Sequence, residues 1–97
     1  MKKVILYGSP LCADCVPVKD YLTEKEIRFG YVDITSGMAH LKKFLAIRDS
    51  NPKYEEIKKQ QTIGIPTLVI DDEPFLLPEG ISSVDGLIKE FDLLNNK

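Results

Sequence analysis

The sequence predicts an α/β fold, a mixed four-stranded sheet flanked by helices on both faces. Three observations carry this. The apolar runs KVILY at 3–7 and PTLVI at 66–70 are short and closed by turn-forming residues, as buried strands are. Between and after them lie stretches with apolar residues at three- and four-residue spacing, the pattern of helices packed on one side. The opening order strand–helix–strand implies a parallel pair joined by a right-handed crossover, whereas the later strands form a hairpin.

The elements follow in order. KVILY stops at Gly8-Ser9-Pro10. VPVKDYLTEKE then reads as a helix, with Val18, Tyr21 and Leu22 on one face and Lys19, Glu24 and Lys25 toward water. Pro17 lies near its start, where a missing N–H costs least. IRFGYVDIT alternates Phe29, Tyr31 and Asp33 against Arg28, Gly30, Val32 and Ile34, a strand whose facing the pattern leaves open. Ser36 is positioned to cap a second helix with the stripe Met38, Leu41, Phe44 and Leu45. Asn51-Pro52 offers a further cap with proline at the first helical position, so PKYEEIKKQQ is a short helix or a bent continuation. After PTLVI, the turn Asp71-Asp72-Glu73-Pro74 returns the chain as FLL. Ser82 or Ser83 caps a last helix striped by Val84, Leu87, Ile88, Phe91 and Leu94. With no repeat and no linker, residues 1–97 read as one domain.

Composition limits the function. The chain carries 13 Lys and Arg against 15 Asp and Glu, with no basic cluster, which argues against nucleic acid as a partner. No apolar stretch approaches a membrane span, and the run after Lys2-Lys3 is too short for a signal peptide. The expectation is a soluble, cytoplasmic monomer. In that compartment thiols stay reduced, so a close cysteine pair points to redox chemistry or metal rather than a structural bridge.

The chain's two cysteines, Cys12 and Cys15, lie in PLCADC at the junction of the first strand and first helix. Free N–H groups and the dipole at a helix N-terminus favour an anion, and here that anion is a thiolate. Cys15 sits one helical turn deeper, close enough for the two sulfurs to meet. Exposure divides the labour: Cys12 attacks a substrate disulfide and Cys15 resolves the mixed disulfide. Other readings stay open. A structural disulfide across three residues closes almost no loop and stabilises little. A zinc site needs four ligands, and the one extra soft ligand is His40. A metal or iron–sulfur cluster shared by a dimer, or two inert core thiols, are further alternatives.

VILYGSPLCADC, then IGIPTLVI, then EGISSVDGLIKEF together resemble a glutaredoxin on the thioredoxin fold, over nearly the whole chain. The resemblance implies a cis peptide bond at Ile65-Pro66 beside the cysteines, with Ile65 offering backbone hydrogen bonds to the substrate cysteine. It implies a thiol-disulfide oxidoreductase with Cys12 and Cys15 catalytic and Ile65, Pro66, Gly80 and Ser82 binding substrate. No permanently bound cofactor or metal is implied. Glutathione is the implied co-substrate, and a disulfide-containing protein or glutathionylated substrate the implied partner. A glutathione-independent dithiol reductase, recycled by a flavin reductase, is the nearest rival.

The sequence also departs from the family pattern. Ser9 stands where glutaredoxins commonly carry a lysine that pairs with a glutathione carboxylate. Asp14 replaces an aromatic residue, and its charge is expected to disfavour the Cys12 thiolate. Of the usual glycine pair followed by acids, Gly80 remains and Ser82-Ser83 replace the acids; Gly80 serves a left-handed turn or a ligand equally well. Lys53, Lys58 and Lys59 supply a substitute cation or simply a solvated helix face. These departures predict weak glutathione recognition, improved by Ser9→Lys with Ser82→Asp.

Overall fold

A computed structural model describes residues 2–95. The order along the chain is β1 (Val4–Gly8), α1 (Cys15–Glu24), β2 (Gly30–Asp33), α2 (Met38–Ser50), a 3-10 turn at Pro52–Tyr54, α3 (Glu55–Lys59), β3 (Thr67–Ile70), β4 (Glu73–Leu76), α4 (Ile81–Glu90) and a 3-10 turn at Leu93–Asn95. The four-stranded sheet runs β2-β1-β3-β4. β1 pairs parallel with β2, placing Leu6 opposite Tyr31. It pairs antiparallel with β3, placing Leu6 opposite Leu68. β3 and β4 form the expected hairpin. Its two turn residues, Asp71 and Asp72, both adopt positive φ, the conformation a tight two-residue hairpin requires.

Alternation along the strands builds two cores. On one face Val4, Leu6, Leu68 and Ile70 meet Val18 and Leu22 of α1 and Val84 and Ile88 of α4. On the other, Tyr7 and Val69 meet Ile34, just after β2, and Phe44 of α2. This settles the facing of β2: Phe29 and Tyr31 pack toward α1 and α4, Val32 and Ile34 toward α2.

Three local expectations change. Ser36 does not cap α2; Gly37 holds that position, and the Ser36 hydroxyl donates to the Asp33 carbonyl at 2.7 Å. The α2 stripe is covered where Tyr7, Ile34 and Val69 face it, at Phe44 with Leu41 and Ile47, while Met38 is 67% exposed. Helix α4 ends at Glu90, and Asp92 turns the chain through positive φ, so Leu93 enters the core in place of Leu94.

Candidate functional site

The cysteine loop begins where β1 runs out. Ser9 is 2% exposed, and its hydroxyl forms the centre of a short hydrogen-bonded chain. The Asp33 carboxylate accepts from the Thr35 hydroxyl at 2.5 Å, and Thr35 Oγ1 lies 2.9 Å from Ser9 Oγ. With the Thr35 proton committed to Asp33, Ser9 donates to Thr35 and accepts from the Leu11 N–H at 3.0 Å. The Cys12 N–H donates to the Ser9 carbonyl and the Cys15 N–H to the Cys12 carbonyl, each at 3.1 Å. The loop is thus pinned on both sides of Leu11 before α1 starts. Ser9 is therefore a buried anchor, and a lysine at this position would have to bury its stem and break both side-chain bonds. Restoring a surface charge through Ser9→Lys does not fit this environment.

The two thiols occupy different surroundings. Cys12 is partly exposed, two residues ahead of the Asp14 N-cap of α1. Cys15 is the first residue of α1 and 1% exposed. Its thiol is pushed up to about 12, chiefly by burial and next by contact with the Cys12 thiol. A backbone hydrogen bond from Ser9 opposes the rise, and the charges of Cys12 and Asp14 add to it. The carboxylate of Asp14 thus bears on the buried Cys15 thiol, an influence the sequence reading did not name. Gly8 makes room for this thiol: a Cβ there would lie 3.2 Å from both Cys15 Cβ and Cys15 Sγ. Sequence reading treated Gly8 only as a strand stop, because its close approach to Cys15 is visible only in the structure.

Ile65-Pro66 is cis, as the family resemblance implied, with Pro66 buried and Ile65 half-buried. The long segment before it acts as a clamp. Tyr54, fully buried, packs its ring edge-on against Phe44 and places its hydroxyl 2.9 Å from Thr67 Oγ1. Thr67 donates to the Gly64 carbonyl at 2.7 Å, which leaves Tyr54 as the donor to Thr67. Gly64 itself has φ of +101° and sits where a side chain would press on Ile57 and Tyr54. Arg48, at the end of α2, donates to the Thr62 carbonyl at 3.2 Å. None of these supports was named from the sequence, because each depends on tertiary placement of an ordinary core or helix residue.

The third part of the site is the start of α4. Gly80 has φ of +59° and is the N-cap, so neither Ser82 nor Ser83 holds that position. The Ser83 hydroxyl instead reaches back to accept from the Glu79 N–H at 3.0 Å. Open space surrounds the Gly80 Cα, so its conformation, rather than crowding, calls for glycine there. Ser82 is exposed.

A groove of about 640 Å³ joins these parts. Asp14, Pro17 and Val18 form one side, Gly64, Ile65 and Pro66 the floor, and Leu77 through Ile81 the other side. The structure thereby brings Ile65, Pro66 and Gly80 together beside the cysteine loop. Lys53 is committed elsewhere, to Glu73 at 3.1 Å, the Pro74 carbonyl at 2.8 Å and the Phe75 ring. Lys58 pairs with Glu55. His40 bonds through Nδ1 to Ser36, and no three His, Cys, Asp or Glu side chains gather as a metal cluster among the described residues. No helix among the described residues is long and apolar enough to cross a membrane.

Comparison with known proteins agrees with this architecture. The glutaredoxin family model matches residues 4–75, and the chain belongs to that family. A protein of Haemophilus influenzae described as uncharacterized is 29% identical over 77 residues, spanning 79% of this chain and 90% of that one. A mutant of the thioredoxin-like protein BC3987 superposes with a TM-score of 0.62 at 25% identity, over the full length of both chains. Wheat glutaredoxin superposes with a TM-score of 0.63 at 19% identity, over 94% of this chain and 77% of that one. The fold is that of thioredoxin, and membership of the family supports oxidoreductase chemistry of the thiol–disulfide type.

Proposed function

We propose that this chain is a glutaredoxin-like disulfide oxidoreductase using Cys12 as nucleophile and Cys15 as resolving thiol. The observation that carries the reading is the asymmetry of the pair: one thiol partly exposed at the loop, the other buried and held neutral one turn deeper. Cys12 Sγ, as thiolate, attacks one sulfur of a substrate disulfide. A Cys12–substrate disulfide forms, the substrate S–S bond breaks, and the other sulfur leaves as a thiolate. Cys15 then gives up its proton and attacks Cys12 Sγ, which forms the Cys12–Cys15 disulfide and releases the second substrate thiol. Two electrons have passed from the dithiol to the substrate, and an external thiol or dithiol must return them.

The environment of Cys15 suits this order. Two of the causes that hold its thiol neutral come from Cys12, by contact and by charge. Once Cys12 is in a mixed disulfide, both are gone, and the resolving thiol ionises more readily at that stage. Beside it, the backbone N–H and C=O of Ile65 make no hydrogen bond to any described residue. They are available to an extended substrate segment adding as a strand. Pro66 and Gly80 line the groove with Ile65, whereas Ser82 is exposed outside that lining.

The substrate in this reading is a disulfide-containing protein or a glutathionylated one, with glutathione as the returning reductant. Two coupled assays test it, one with glutathione and its reductase, the other with thioredoxin reductase. Turnover in the first supports glutathione as reductant, and turnover only in the second assigns the chain to the dithiol reductases. No reduction in either, with reduced protein confirmed by thiol titration, refutes the oxidoreductase reading.

A further inference from the structure

We infer that the groove beside the cysteine loop selects an extended polypeptide disulfide with a lysine or arginine next to its cysteine, in preference to glutathione. The inference rests on the oxidoreductase reading above and adds the substrate class. Among the described residues, the charged groups lining the groove are Asp14 on the α1 side and Glu79 on the α4 side, both exposed, and no cation lines it. Glutathione at neutral pH brings two carboxylates and one ammonium, a net negative charge, into a groove that already holds two carboxylates. Its ammonium can meet one of them, but its carboxylates meet none of the cations that charge-assisted recognition requires. Two of the three lysines before the Pro66 turn are engaged elsewhere, Lys53 on β4 and Lys58 on Glu55, and Lys59 does not line the groove.

A cationic polypeptide fits the same surface from both standpoints, charge and size. Its ammonium or guanidinium meets Asp14 on one side of the groove or Glu79 on the other. Its backbone takes the free N–H and C=O of Ile65. Around the groove Leu11 is 84% exposed directly before Cys12, and Ile63 and Ile81 are exposed beside it. A tripeptide without an apolar side chain leaves such residues in water, whereas a longer segment covers them.

The test uses two decapeptides that differ only in carrying Lys or Glu on both sides of one cysteine. Each is supplied as its mixed disulfide with 2-mercaptoethanol, alongside oxidised glutathione and hydroxyethyl disulfide. Single-turnover rates with the reduced protein are divided by the rates with dithiothreitol, which removes the intrinsic reactivity of each disulfide. Exposed charge pairs are modest and screened by salt, so the expected preference for the Lys peptide is roughly three- to ten-fold at low salt. It should shrink in 0.5 M NaCl on the order of the shortened Debye length. Glu79→Lys and Asp14→Asn should each move the ratio toward unity. Equal normalised rates for the two peptides, or a faster Glu peptide, overturn the inference while leaving the oxidoreductase reading intact. Failure of every probe, hydroxyethyl disulfide included, refutes that reading and the inference with it.

Discussion

The groove has one wall held from within and one that stands open. On the side of the cysteine loop and the Pro66 turn, polar groups are tied to buried partners: Ser9 to Thr35 and Leu11, Thr67 to Gly64 and Tyr54. On the opposite side, Pro78 and Glu79 are exposed, Gly80 faces open space, and Ser82 is exposed just beyond them in α4. Chemistry demands fixed sulfur positions, and buried hydrogen-bond networks supply them because a broken bond there leaves an unsatisfied group. In the proposed reading, recognition falls to surface residues that can change at little cost in stability, which would make reaction and ligand preference separable.

Substitutions on the two walls should differ most in stability. Thr67→Val keeps the side-chain shape but strips the buried Tyr54 hydroxyl and the Gly64 carbonyl of their partner. A loss on the order of 2–3 kcal/mol is expected from urea unfolding. Ser82→Ala, exposed in α4 beyond the open wall, should change stability by less than about 0.5 kcal/mol. Comparable effects at the two positions would erase the distinction.

Gly8→Ala tests how tightly the held wall fits around Cys15. The added methyl meets Cys15 Cβ and Sγ at 3.2 Å, so the thiol or the strand must yield. Overpacking of this kind costs about 1–3 kcal/mol. Stopped-flow kinetics should show attack by Cys12 largely kept and the resolving step slowed. A variant with unchanged stability and resolution would mean that the contact relaxes freely.

The pH dependence of stability isolates the buried thiol. Cys15 is raised from an ordinary 9.0 to about 12, so its neutral form is the one the fold favours. For a group raised on folding, the stabilisation is full below the ordinary value and lost as pH climbs through the folded value. Reduced protein should therefore lose stability between about pH 9 and pH 12 more steeply than Cys15→Ala does. Parallel curves for the two proteins would show that Cys15 is not held neutral.

The smallest effect is expected at Asp14, an exposed residue on the α1 side of the groove. Asp14→Asn removes one of the charges that hold the Cys15 thiol up, so resolution at neutral pH should quicken. Solvent screening limits the gain to about two- or three-fold. Slower resolution would reverse the sign of this assignment.

The same division explains what could be read from residues alone. KVILY, PTLVI and the stripes of α1 and α4 announce themselves because burial on one face imposes a period on the sequence. The cysteine spacing and Ile65-Pro66 were legible because few residue types can do their work. Gly8, Tyr54, Thr67 and Arg48 were not, since each gains its role from a partner distant in sequence or from a close approach. Ser9 was misjudged for the same reason: its place beside the cysteines is evident from order, but its burial against Thr35 is not. The stripe of α4 was carried past the end of the helix at Glu90, where Asp92 breaks the helical period and buries Leu93 in place of Leu94.

The central claim is the order of the two thiols, and trapping tests it most directly. Cys15→Ser, reduced and then mixed with a disulfide substrate, should accumulate a stable adduct. Peptide mass mapping should place it on Cys12, while Cys12→Ser should form no adduct and reduce nothing. In the wild type, iodoacetamide at neutral pH should label Cys12 and spare the buried Cys15. An adduct on Cys15 in Cys12→Ser, or first labelling of Cys15 in the wild type, would contradict the account.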